Sequence, residues 1–110
     1  MLAKSFLLMQ FAAMYELELT RKAQKFYENA DASLVRRLNQ CFDQLRQDPY
    51  SLSNVKAMKG NYEGCFRYRV GDYRVIYRID EISSDGHSDE MREVVIVLLI
   101  AHRREVYHDR

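Results

Sequence analysis

The amino-acid sequence predicts an α+β domain: an N-terminal strand, a helical hairpin, then an antiparallel sheet of three further strands, with the helices on one face. Three observations carry this. Tyr15 to Thr20, "YELELT", alternates apolar and acidic residues, the period of a half-buried strand. Between residues 21 and 48 the apolar residues recur at helical spacing. From Cys65 onward the pattern changes to period two and then to the nearly continuous apolar run "EVVIVLLIAHR", punctuated by Gly71-Asp72 and Asp85-Gly86, both tight-turn signals. A chain of 110 residues, 47% hydrophobic, can bury one modest core and leaves no room for a second domain.

The elements follow in order. The opening "MLAKSFLLMQFAA" has one Lys and a short apolar run, but it lacks a small-x-small cleavage site and is too short to cross a bilayer. Residues 1–13 are therefore expected to be an N-terminal extension, residues 14–110 the compact domain, and no membrane partner is expected. Thr20 can cap a helix over Arg21 to Asn29 that places Ala23, Phe26 and Tyr27 on one face. A second helix, starting after Asp31 or Ser33, carries the stripe Leu34, Leu38, Cys41, Phe42, Leu45, and Pro49 ends it. Ser51 to Gly64 reads as a basic, polar loop. Phe66 to Val70 and Tyr73 to Ile79 are strands, and the apolar third strand is expected to lie centrally in the sheet. Cys41 and Cys65 form neither a disulfide framework nor a metal-ligand spacing. They read as reduced packing residues of a cytosolic protein, and no cofactor is expected.

Charge is where the sequence departs from an ordinary domain. The formal net charge is only +1, yet Lys56 to Arg78 holds six basic against two acidic residues, a net of +4 that leaves −3 elsewhere. With Gly71-Asp72 as a two-residue loop, Val70 faces Tyr73, Arg69 faces Arg74, Tyr68 faces Val75, Arg67 faces Ile76 and Phe66 faces Tyr77. Directly opposed residues share a sheet face. The aromatic and β-branched residues thus turn toward the helices and the arginines turn away. Treating Asp85-Gly86 as a second two-residue turn places Tyr77 opposite Val94, Val75 opposite Ile96, Arg74 opposite Val97 and Arg78 opposite Glu93. Continued alternation then brings Arg103 to the arginine side and His102 to the core side, and leaves Val95, Val97 and Leu99 exposed.

Like charges directly opposed in a sheet cost about 0.2–1 kcal/mol per pair. Arg69 facing Arg74 is therefore either part of a solvated face of long side chains or part of an anion site, in which guanidiniums fixed on rigid strands grip phosphates bidentately. The near absence of interspersed carboxylates on this face favours the anion site.

"KAMKG" (Lys56 to Gly60), "CFRYRVGDYRVIY" (Cys65 to Tyr77) and "AHRREVY" (Ala101 to Tyr107), in this order behind a strand and a helical hairpin, resemble the RelE family of toxins within the RelE/ParE superfamily. The resemblance spans about residues 14 to 107. It implies the RelE-like fold and a cytoplasmic toxin of a type II toxin–antitoxin pair. It further implies a ribosome-dependent endoribonuclease, or mRNA interferase, that cuts mRNA in the A site by metal-independent attack of the 2′-hydroxyl. The implied partners are a RelB-like antitoxin, with a heterotetramer as one assembly, the ribosome and mRNA. Carried over by position, the family's basic strand residues fall on Arg67 and Arg69, its phosphate-binding arginine on Arg74, a second arginine on Arg103 and its C-terminal tyrosine on Tyr107. Lys56 and Lys59 become candidate RNA contacts.

Arginine stands at 67 and 69 where the best-known pattern has lysine. An arginine holds its proton too firmly to act as a base. Arg67, Arg69, Arg74 and Arg103 are thus cast as electrostatic stabilisers, and proton transfer falls to Tyr107, to His102 or more remotely to Glu63. Tyr107 can equally serve by stacking on a base. Two other functions are compatible with the same scaffold: a ParE-like inhibitor of DNA gyrase, and a non-catalytic module that binds nucleic acid or antitoxin.

Overall fold

A computed structural model describes residues 15–50, 53–83 and 91–108. The order is β1 (Glu16–Leu19), α1 (Arg21–Asn29), α2 (Ala32–Gln47), β2 (Val55–Ala57), a 3-10 turn (Gly60–Tyr62), β3 (Phe66–Val70), β4 (Tyr73–Ser83), β5 (Met91–His102) and α3 (Arg103–His108). The strands form one sheet in the order β1-β5-β4-β3-β2. Only β1 and β5 run parallel; the other neighbours are antiparallel. The α+β class and the helical hairpin are as expected. Two features are added: β2, three residues inside the segment read as a loop, and α3 at the end of the chain. The apolar strand β5 is interior, as expected, although β4 holds the centre. The expected extension, residues 1–13, lies outside the described residues.

The helices α1 and α2 each begin on a side-chain cap. Thr20 Oγ1 accepts from the Ala23 amide at 3.2 Å and Asp31 Oδ1 from the Leu34 amide at 2.8 Å, which satisfies amides that the first helical turn leaves without a partner. The helices lay Ala23, Leu34, Leu38, Cys41, Phe42 and Leu45 on the face of the sheet formed by Tyr68, Val70, Val75, Tyr77, Val95, Val97 and Ile100. Tyr77 is wholly buried, and its hydroxyl donates to the Pro49 carbonyl at 2.6 Å. Burial pushes its phenol, and the Cys41 thiol, well above their ordinary pKa ranges.

The β3–β4 hairpin has the expected register at every pair, including Arg69 opposite Arg74. Gly71 takes φ +58° at the first turn position, a conformation glycine adopts without a Cβ penalty. A Cβ there would also collide with the Arg37 guanidinium of α2.

The β4–β5 register corrects the expectation. Tyr77 lies opposite Val97, Arg78 opposite Ile96, Val75 opposite Ile100 and Arg74 opposite Ala101. The last described pair is Ser83 with Met91, a register that a two-residue turn at Asp85-Gly86 does not produce; that expected turn itself lies outside the described residues. A register shift between Ile76 and Tyr77 leaves Leu98 as an extra residue on β5, a bulge that exchanges the faces of the residues on either side of it. Val95 and Val97 accordingly sit in the main core with no exposure, and they are not the exposed apolar positions expected. Thr20 secures the bulge as well as capping α1: its amide donates to the Val97 carbonyl at 3.0 Å and its hydroxyl to the Leu98 carbonyl at 2.8 Å.

Candidate nucleic-acid interface

The face of the sheet turned away from α1 and α2 carries two rows. Lys56 of β2 lies opposite Arg67 of β3, which lies opposite Ile76 of β4 and, beyond it, Leu99 of β5. In the next row Arg69 lies opposite Arg74, and Arg74 opposite Ala101. The apolar ends of both rows are covered: Ile76, Ala101 and Val106 form a second small core, with Met58, Tyr62, Cys65, Leu98 and Leu99 packed against it. The basic ends are open and line a cleft of about 230 Å³ made by Ser53, Asn54, Lys56, Arg67, Arg69 and Arg74. Among the described residues that lining holds four cations and no carboxylate.

Arg74 is the anchor. It is 8% exposed, and its Nη1 donates to the Gly71 carbonyl at 2.8 Å and the Tyr73 carbonyl at 2.9 Å. The turn therefore fixes one edge of the guanidinium and spares the rest for the cleft. β3 is itself held in place where the Arg69 amide donates to the Asn54 carbonyl at 3.1 Å. Lys56 and Arg67 owe their juxtaposition to β2, the strand that three residues in a basic segment gave no periodicity to reveal. Ser53 and Asn54 carried no signal in the sequence.

The remaining candidates are more scattered. Lys59 lines a neighbouring cleft with Met58, Gly60, Tyr62, Val106 and the shared Arg67. Arg103 does not continue the strand alternation, because the chain turns into α3 there. Its amide donates to the Asp72 carbonyl at 2.8 Å, and its side chain is exposed and does not line the arginine cleft. His102 is on the core side, as expected, with its ring edge-on to Tyr73 at 5.5 Å and its Nδ1 accepting from the Arg104 amide at 3.2 Å. Tyr107 follows the buried Val106 in α3, but its side chain lies outside the described residues. Glu63 is exposed in the turn after the 3-10 segment and lines neither cleft. Arg78 bonds Asp80 at 3.0 Å and not Glu93. Glu93 accepts instead from the Tyr50 hydroxyl, and this bond with partial burial pushes the Tyr50 pKa up to about 12. Among the described residues no cluster of His, Cys, Asp and Glu could hold a metal ion, and no helix is long and apolar enough to cross a membrane.

Comparison with known proteins places this scaffold. The family model described as the ParE toxin of type II toxin-antitoxin system, parDE, matches residues 17–107. The chain belongs to the ParE toxin family. This ParE-family chain is a toxin of a type II toxin–antitoxin system within the RelE/ParE superfamily, the superfamily that the sequence resemblance indicated. Three of the solved structures similar to it illustrate the likeness. The RelBE2 toxin–antitoxin complex of Mycobacterium tuberculosis is 26% identical, covering 83% of this chain and 100% of that one at a TM-score of 0.61. A YoeB/ParE toxin from Agrobacterium tumefaciens is 21% identical, covering 79% and 97% at 0.63. The archaeal RelE–RelB complex from Pyrococcus horikoshii is 22% identical, covering 82% and 96% at 0.60. Curated protein sequences give no significant match.

Proposed function

We propose that this toxin is a cytoplasmic, ribosome-dependent endoribonuclease that cuts mRNA by attack of a 2′-hydroxyl on the adjacent phosphate. The observation that carries the reading is the cleft of Lys56, Arg67, Arg69 and Arg74, a concentration of positive charge on rigid strands with no carboxylate in its lining among the described residues. Such an attack builds negative charge on a pentavalent phosphorane, and cations fixed in advance stabilise that charge without reorganising. Arg74, clamped by two carbonyls of its own turn, is best placed to be this fixed charge. Lys56, Arg67 and Arg69 hold the neighbouring phosphates. Arg103 assists from the start of α3, where it flanks the turn through Asp72. Tyr107, in the same short helix, supplies the proton transfer or the stacking surface; Tyr107→Phe removes the first and keeps the second. A net charge of only +1 suits an enzyme whose RNA is presented by the ribosome better than one that captures free RNA.

The partner that silences the toxin is a RelB-like antitoxin, and a heterotetramer is one assembly the two chains can form. Support comes from the Mycobacterium and Pyrococcus structures, both toxin–antitoxin complexes. β1 covers β5 only from Val94 to Val97. Beyond it, Leu99 to Ala101 border a broad groove with Lys22, Lys25 and Phe26 of α1 and Glu105 of α3, where an added segment could continue the sheet.

The ParE family match favours a second reading, inhibition of DNA gyrase. Primer extension on cellular mRNA after induction separates the two. Ribosome-phased cuts are expected; growth arrest without cuts, with loss of supercoiling by purified gyrase, would establish the second reading instead.

A further inference from the structure

The cleft beside the arginines has a different chemistry from theirs. It measures about 330 Å³ and is lined by Ala57, Met58, Lys59, Gly60, Tyr62, Arg67 and Val106. An aromatic ring, a thioether and a valine supply apolar surface, while among the described residues two cations sit in the lining with no acid. Its walls are built in advance. The Met58 amide donates to the Cys65 carbonyl at 3.0 Å, the Cys65 amide to the Tyr62 carbonyl at 2.9 Å and the Glu63 amide to the Gly60 carbonyl at 3.1 Å. Gly60 and Gly64 take φ +68° and +90°, which lets the chain close this tight loop. Val106 is 1% exposed and rests on the fully buried Ile76, so one side of the cleft is packed core. Arg67 lines this cleft and the cationic one alike, and one nucleotide can therefore span the two.

We propose that this second cleft receives a single unstacked nucleobase of the RNA strand whose phosphates lie along Lys56, Arg69 and Arg74. The proposal rests on the endoribonuclease reading and adds to it a place where the strand is sampled as a base rather than as a charge. Single-stranded RNA is recognised in this way, with splayed bases laid against aromatic and apolar side chains and phosphates held by neighbouring cations. Tyr62 and Met58 are the expected base contacts, Arg67 bridges base and phosphate, and Lys59 closes the rim.

Amide chemical shifts of the full-length toxin, titrated with the four ribonucleoside 5′-monophosphates and separately with inorganic phosphate, test this directly. Inorganic phosphate is expected to move the amides of Lys56, Arg67, Arg69 and Arg74 only. The nucleotides are expected to move these and also Met58, Gly60, Tyr62 and Val106, and to bind about tenfold more tightly through stacking. Tyr62→Ala should bring nucleotide affinity down to that of phosphate, and Tyr62→Phe should retain it. Identical shift patterns and affinities for nucleotides and phosphate overturn the proposal, on the wild-type chain alone and whatever the variants do. The two readings fail separately: phased cuts without base-dependent shifts remove the pocket and keep the nuclease, whereas base-dependent shifts without cuts keep the pocket and remove the nuclease.

Discussion

The two faces of the sheet are made by the same strands and solve opposite problems. On the helix side Tyr68, Val75, Tyr77, Val95 and Val97 meet Leu38, Cys41 and Leu45, and every group is either apolar or, like the Tyr77 hydroxyl, given an internal partner. On the other side a small core, in which Ile76, Ala101 and Val106 are the buried residues among those described, adjoins four cations gathered in one cleft. Arg69 opposite Arg74 is a pairing that costs stability in a sheet. The first face holds the strands in position, and the second uses that rigidity to keep like charges together. The contrast teaches that the stability of this toxin and its proposed chemistry are separable by face, so substitutions should sort accordingly.

The largest effect is expected on the helix side. Leu45 is fully buried between α2 and the sheet, and Leu45→Ala should lower unfolding free energy by about 2–5 kcal/mol through lost burial and the cavity left behind. Denaturant unfolding measures this, and activity per folded molecule should be unchanged. Next in size is Arg74→Ala. Cleavage on programmed ribosomes should fall by roughly 10²- to 10³-fold, the scale of removing one fixed donor from a developing oxyanion. The Gly71 and Tyr73 carbonyls lose their partner, at a cost of about 1–3 kcal/mol, so the variant should fold with a lowered melting temperature. Growth arrest equal to wild type at equal expression would remove Arg74 from the site and blur the division between faces.

What the sequence disclosed follows the same physics. Gly71-Asp72 makes the β3–β4 register legible because a glycine at positive φ opens the commonest hairpin connection, a two-residue loop, and the paired arginines follow from it. The helical hairpin was legible from its caps and stripe. The β4–β5 register was not, since "VVIVLLIA" is apolar on both faces and carries no marker of parity, and the bulge at Leu98 is held by Thr20, 78 positions away in sequence. Lys56 looked like a loop lysine because β2 has three residues, too few for a period to show. Arg103 was misplaced for a related reason: strand alternation says nothing of where a strand ends, and the chain enters α3 at that residue.

Alkaline pH should sharpen the comparison further. Tyr77, Tyr68 and Tyr50 all have phenols raised above their ordinary value, Tyr77 and Tyr68 chiefly by burial and Tyr50 chiefly by its bond to Glu93. A group whose pKa is higher folded than unfolded stabilises fully below the unfolded value and loses that contribution as pH rises through the folded one. Stability should thus decline from about pH 10 upward. The Tyr50 share is lost by about pH 12, and as Tyr50 is half exposed it should amount to only about 1 kcal/mol after solvent screening. Tyr50→Phe should flatten that part of the profile. None of these phenols lines the cationic cleft, so RNA-phosphate binding by the folded fraction should persist while the helix side loosens.

The smallest expected effect is the most discriminating. Arg69 is exposed and faces Arg74, whereas Arg74 is buried and bonded to its turn. Arg69→Thr removes the opposed like charge and places a β-branched residue on a strand, and both changes favour the sheet. Unfolding free energy should rise by about 0.2–1 kcal/mol, while cleavage falls because one phosphate contact is lost. The two signs must appear together. If Arg69→Thr destabilises the domain, the guanidinium has a structural role and its side of the sheet is not held at a cost to stability. If the variant is more stable and fully active, the cation at 69 belongs to neither the fold nor the site, and the cleft reduces to Lys56, Arg67 and Arg74.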